Sequence, residues 1–185
     1  GLRTLTVLQE AAGLVQRRRG VAIELAQLLF DDPETYQLLS RGDTAGVFQA
    51  DSNGFRELMR TGGVAGIEDL VAILTLYRPA AMAMLPVYFA RKQGREPADC
   101  GHPLLEPVLR ETYGLILYQE QILHAAHALA GYPLGEADLL RRAMLGKAAE
   151  GMGGERARFS ARCARVSRIP ADRAAAIFDR IAASA

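Results

Sequence analysis

Apolar residues at Leu2, Leu5, Leu8, Ala12 and Val15 recur at helical spacing, and the pattern stops at Gly20 behind the basic run Arg17 to Arg19. This predicts a first helix over 2–19. A second apolar run, Val21 to Phe30, ends at Asp31-Asp32-Pro33-Glu34, which reads as an N-cap with proline at the first helical position. It opens a short predicted helix that Gly42 closes. Thr44 to Gln49 is short, partly β-branched and flanked by glycine, and predicts a strand or an extended loop. Ser52 caps a predicted helix through Arg60, ended by Gly62-Gly63. Ile67 to Tyr77 reads as a buried helix that must end near Arg78-Pro79. Ala80 to Arg91 continues in helical composition, where Pro86 predicts a break or kink.

Gln93 to Pro103 is loop by composition, Leu104 to Thr112 helix, and Leu115 to Tyr118 a short extended piece. Helices are predicted over 119–130, 135–145 and 155–166, with Gly151, Gly153 and Gly154 loosening the last junction. Pro170 opens a final helix to Ala182. The fold class this predicts is mainly α, an irregular helical domain with at most a few short strands and no internal repeat.

Bulk composition adds little to that picture. The 185 residues are half hydrophobic, enough for a real core in one domain or two small ones. No apolar run approaches the length of a transmembrane helix, and no signal-peptide pattern is present at the start. Cys100 and Cys163 form no disulfide framework, which fits a reducing cytoplasm. With 22 basic and 21 acidic residues the net charge is +1, whereas a free-standing nucleic-acid binder is more often clearly basic. The charge is uneven, however: Arg56, Arg60, Arg78, Arg91, Lys92 and Arg95 punctuate the middle, and five arginines lie between Arg156 and Arg168. Composition therefore supports local anion contacts and does not establish DNA binding.

Candidate chemistry narrows to arginines. Gly151-Met152-Gly153-Gly154 lacks the Lys-Ser/Thr of a phosphate-cradling loop and reads as a turn. His124 and His127 share a helix face but lack further ligands, and read as ordinary helix-face residues. Asp31 and Asp32 are explained by capping, and Asp43, Asp51, Glu68, Asp69 and Asp138 lie at helix boundaries or on polar faces. No aspartates converge as two-metal phosphoryl transfer requires, so no catalytic residue and no metal ligand is assigned within this chain. Arg78, at the end of an apolar helix before Pro79, has a less natural solvated role. Arg141 and Arg142 repel one another and so call for an anion or for carboxylates. Two readings stand open: phosphate binding, or pairing with Glu136 or Asp138 within a helical turn.

Several blocks in order then carry a resemblance. They are Asp32-Pro33, Leu38-Leu39-Ser40-Arg41-Gly42-Asp43-Thr44 with Gly46-Val47-Phe48-Gln49, Leu76-Tyr77-Arg78-Pro79 and His102-Pro103-Leu104-Leu105-Glu106-Pro107. The most specific are Tyr118-Gln119-Glu120-Gln121 and Gly135-Glu136-Ala137-Asp138-Leu139-Leu140-Arg141-Arg142-Ala143-Met144. Together they resemble, over nearly the whole chain, the fingers of the bacterial C-family replicative polymerases, the DNA polymerase III alpha subunits. The resemblance implies one fingers region over 1–185, from a bacterial cytoplasm, in a template-directed DNA polymerase. It implies nucleotide binding through Arg78, Arg141, Arg142 and Lys147, with catalytic aspartates in a palm upstream of Gly1. It also implies magnesium in the parent enzyme and none bound by this fragment. The implied partners are primer-template DNA, the incoming deoxynucleoside triphosphate and other replisome subunits, with no membrane, and the isolated fragment is expected to be inactive.

Three departures from the family pattern matter. Arg-Pro-Gly-Pro becomes Arg78-Pro79-Ala80-Ala81, which favours helix continuation over a rigid turn. Glu-Ser-Arg-Gly becomes Asp51-Ser52-Asn53-Gly54, with a cation lost. After Arg141-Arg142-Ala143-Met144 the family carries three lysines, whereas Leu145-Gly146-Lys147-Ala148 has one. Fewer cations weaken triphosphate binding. The alternative reading is therefore a catalytically silent, polymerase-like binding or scaffold module.

Overall fold

The structure, a computed structural model, describes residues 2–145 and 149–184. Its described residues form ten α-helices joined by turns and short 3-10 segments, with no strand among them. The chain divides into two compact units, residues 1–73 and 74–185.

In the first unit, α1 (Arg3–Arg19) ends where Gly20 takes φ 69° and its N–H reaches the carbonyl of Gln16 at 3.0 Å. No residue of α1 is buried, and Leu5, Val7 and Leu8 are exposed. The apolar spacing thus makes a helix without making a core. α2 (Pro33–Arg41) is capped by the Asp32 carboxylate, which accepts from the N–H groups of Glu34 (3.3 Å) and Thr35 (3.1 Å). Ser52 does the same for α3 (Asn53–Gly62) through the N–H of Phe55 at 3.3 Å. Tyr36 and Leu39 of α2 and Phe55 and Met59 of α3 are buried.

Between these helices Thr44 to Gln49 forms turns rather than a strand. The buried Thr44 hydroxyl donates to the Ala50 carbonyl, and Gln49 has φ 62°. A local side-chain bond of this kind offers the backbone an alternative to a ladder. The boundary between the units falls in α4 (Ile67–Leu76), whose buried Asp69 accepts from the N–H of Ala65 at 2.8 Å.

After Arg78 the chain turns, the Arg78 carbonyl accepting from Ala81 (2.9 Å) and Met82 (3.0 Å), so Ala80-Ala81 does not continue a helix. Pro86 lies in the first turn of α5 (Leu85–Lys92) and starts that helix instead of kinking it. Leu104 to Thr112 is broken into 3-10 pieces around α6 (Glu106–Leu109). At Gly114, φ is 81° and a Cβ would collide with the carbonyl of Asp99, so glycine is required there. Leu115 to Leu117 is irregular and pairs with no strand.

α7 (Gln119–Ala130), α8 (Leu134–Leu145), α9 (Ala149–Val166) and α10 (Ala171–Ala183) enclose the core. Ile122, Leu129, Tyr132, Leu140, Phe159, Cys163, Phe178 and Ile181 are all buried in it. Phe159 is stacked with Tyr132 at 6.4 Å and tilted against Phe178 at 5.5 Å. The glycines at 153 and 154 do not loosen α9, which runs straight through them. Each glycine costs a helix about 1 kcal/mol, less than the burial of Phe159 and Cys163 returns.

Candidate functional site

The polar edge Gln119-Glu120-Gln121 splits into three roles. Gln121 is buried; its Oε1 accepts from the N–H groups of Leu117 (2.8 Å) and Tyr118 (3.0 Å), and its amide nitrogen donates to Val108 (3.2 Å) and Thr112 (2.8 Å). It satisfies the start of α7 and a neighbouring loop at once. Glu120 is exposed. Gln119, the first residue of α7, accepts from Nη1 of Arg141 on α8 at 2.6 Å.

Arg141 and Arg142 converge on one carboxylate. Arg141 donates from Nε (3.0 Å) and Nη2 (2.7 Å) to Oδ1 of Asp138, one turn earlier. Arg142 ion-pairs through Nε with Oδ2 of the same residue at 2.8 Å. The Arg141 hydrogen bond, then the charges of Arg142 and Arg141, hold the Asp138 carboxyl below its usual range. Arg141 is 17% exposed at its side chain and Arg142 69%, so one guanidinium is packed and the other stands in solvent.

Among the described residues, Arg78, His124 and His127 do not join this cluster. Arg78 is exposed on the turn after α4, and no hydrogen bond or ion pair among the described residues ties it to Asp138. Its position before Pro79 leaves it solvated after all. Lys147 lies outside the described residues. His127 directs Nδ1 to the Tyr132 carbonyl at 2.8 Å, and His124 is exposed.

A second carboxylate, Glu136, gathers two arginines from α9. Arg158 reaches it at 3.1 Å and Arg162 at 2.6 Å. Arg162 also donates to the carbonyls of Ala130 (3.0 Å) and Gly131 (2.8 Å), which end α7, and stacks 4.0 Å from the centre of the Tyr132 ring. Residue spacing gave no sign of this cluster, because its bonded partners lie 22 to 32 positions apart. A cavity of roughly 520 Å³ lies elsewhere in the second unit, lined by Cys100, His102, Glu106, Arg110, Tyr113 and Arg173 among others. Of the candidate nucleotide-binding residues that are described, Arg78, Arg141 and Arg142 do not line it. Burial pushes the Cys100 thiol above its ordinary value.

Among the described residues no three His, Cys, Asp or Glu side chains come together as a metal would require. Among the described residues no donor set fits magnesium, and Asp138 is already committed to two guanidiniums.

The comparisons with known proteins agree in direction. The family described as Bacterial DNA polymerase III alpha subunit finger domain matches residues 4–167. The chain is 46% identical over 182 residues to DNA polymerase III subunit alpha of Caulobacter vibrioides, covering 98% of this chain and 16% of that protein. It is 46% identical over 190 residues to the same subunit of Thermus aquaticus, covering 100% of this chain and 16% of the relative. For the Bacillus subtilis subunit the identity is 42% over 163 residues, with 88% of this chain and 15% of the relative covered. The chain thus spans about 16% of the length of these first relatives, and it belongs to the finger-domain family of the bacterial DNA polymerase III alpha subunit.

Proposed function

We propose that residues 1–185 form one fingers region of a replicative DNA polymerase and bind the triphosphate of an incoming deoxynucleotide together with nearby DNA. Arg142, Arg141, Arg78 and Lys147 are the proposed contacts. The observation that supports this most is Arg142: its side chain is 69% exposed, with its Nε anchored on Asp138. A guanidinium anchored at Nε presents its two terminal nitrogens as a fork, the geometry that meets two phosphate oxygens at once. Such contacts position the triphosphate and offset charge that develops during transfer.

Attack by a primer 3′-hydroxyl, the magnesium it uses and the aspartates that hold that metal are proposed for the whole polymerase, and no step of it is routed through the residues described. The proposed partners are primer-template DNA, the deoxynucleoside triphosphate and other replisome subunits, in a bacterial cytoplasm. None of the described helices is long and apolar enough to cross a membrane. The isolated fragment is proposed to be inactive, and primer extension by these residues alone would contradict that.

The test is Arg142→Ala in the intact alpha subunit, with nucleotide varied at steady state. The KM for nucleotide should rise about tenfold, the size expected from one lost charge-assisted contact. An unchanged KM means that Arg142 serves only to pair with Asp138, whereas an intact subunit that extends no primer favours the second reading, a catalytically silent binding or scaffold module. One observation speaks for that reading: a single carboxylate, Asp138, already answers both arginines.

A further inference from the structure

Arg141 and Arg142 are adjacent in sequence, yet the fold gives them unequal freedom. Arg141 commits all three guanidinium nitrogens: Nε and Nη2 to Asp138 and Nη1 to Gln119. The bond to Gln119 crosses from α8 to the first residue of α7, so Arg141 is a strut between helices. Arg142 makes one ion pair, its closest approach being Nε to Oδ2 of Asp138 at 2.8 Å. Its terminal nitrogens make no hydrogen bond among the described residues.

Asp138 is therefore a bridge, with Oδ1 turned to the strut and Oδ2 to the exposed guanidinium. We propose that Asp138 is a positioning residue for nucleotide, fixing the direction of the Arg142 fork, while Arg141 and Gln119 hold Asp138 itself in place. The proposal rests on the reading that Arg142 meets the triphosphate. Two physical arguments carry it. A long, exposed arginine samples many rotamers, and ordering it at the moment of binding opposes affinity; an anchor at Nε supplies that order beforehand. A carboxylate near a triphosphate would ordinarily repel it, but Arg141 cancels that charge and leaves Arg142 as the uncompensated cation of the three.

The experiment is steady-state primer extension by the intact alpha subunit, with nucleotide varied, for Asp138→Asn, Arg142→Ala and the double variant. Asparagine keeps the size of aspartate and removes its charge. Asp138→Asn alone should raise nucleotide KM roughly three- to tenfold with kcat nearly unchanged, since an oriented ground-state contact persists into the transition state. In the Arg142→Ala background the same change should add almost nothing, because no fork is left to orient.

Gln119→Leu loosens the strut without touching any charge and should raise KM less, with the same loss of effect beside Arg142→Ala. If the effects of Asp138→Asn and Arg142→Ala multiply, Asp138 acts independently and the proposal falls. It also falls if Asp138→Asn and Gln119→Leu lower the thermal midpoint with KM unchanged while Arg142→Ala raises KM; the nucleotide reading then survives. If Arg142→Ala itself leaves KM unchanged, the nucleotide reading falls and takes this proposal with it.

Discussion

Two carboxylates on α8, two residues apart, each gather a pair of arginines, and the outcomes differ. At about 100° per residue, Glu136 and Asp138 point to nearly opposite sides of the helix. Glu136 faces α9 and takes Arg158 and Arg162 from it, while Asp138 takes Arg141 and Arg142 from its own helix. Around Glu136 the better-packed partner, Arg162, is 18% exposed and bonds α7 and α8 at once. Around Asp138 the packed partner, Arg141, plays a similar strut, but Arg142 is left 69% exposed. An arginine pair on a carboxylate is thus not one kind of site. What separates a structural cluster from a candidate binding cluster is how many donors the fold has already used.

The largest expected effect lies on the structural side. Arg162→Ala removes two bonds to the carbonyls that end α7, an ion pair and the cation over the Tyr132 ring. It should lower stability by about 2–4 kcal/mol, read as a drop in denaturant midpoint. Arg162→Lys should recover little, because an ammonium cannot fork to two carbonyls and a carboxylate together. A loss under about 0.5 kcal/mol, the range of an ordinary surface change, would erase the distinction drawn between the clusters. Arg141→Ala should come next, at about 1–2 kcal/mol, since it cuts the bonds to Asp138 and Gln119 from a side chain only 17% exposed.

Helix ends were the readable part of this fold because their chemistry is local. Asp32-Pro33 opening α2 and Ser52 opening α3 both needed only a side chain and the next few N–H groups. The Asp138 pairing was readable for the same reason, as spacings of three and four residues on one helix. Pro86 was ambiguous, since the same residue breaks a helix from inside and starts one from its first turn. The glycines of α9 misled because their propensity is a local quantity, and the packing that overrides it is not. Arg162 was invisible: it lies 31 positions from Gly131 and 26 from Glu136. The candidate site was half legible, then: its charges were in the sequence, while the bond from Gln119 that makes Arg141 a strut was not.

Acid should act on the Asp138 cluster in a direction the pairing fixes. The folded carboxyl is held below its ordinary value chiefly by Arg141, so the folded state binds this proton less readily than the unfolded chain does. Its contribution to stability is therefore fully present above the unfolded pKa, about 3.9, and is lost as pH falls through the folded value. The decline should be shallower in Asp138→Asn, measured as denaturant midpoint against pH. Asp32 and Asp179 are held low too, by Thr35 and by Arg156, so the variant keeps part of the wild type's acid lability. Identical acid profiles would mean that the Asp138 pair does not persist in solution.

The smallest expected effect on stability is the one that completes the comparison. Arg142→Ala removes an exposed ion pair that ties α8 only to itself, and such pairs contribute between nothing and about 0.5 kcal/mol. The denaturant midpoint should hardly move while the nucleotide KM rises. Arg162→Ala should show the reverse, a lower midpoint with KM nearly unchanged at temperatures where the variant is folded. If Arg142→Ala destabilises as much as Arg141→Ala, Arg142 is a second strut and its exposure is incidental. If it changes neither quantity, donors left free by the fold do not mark a binding site here, and the contrast between Glu136 and Asp138 is one of geometry without function.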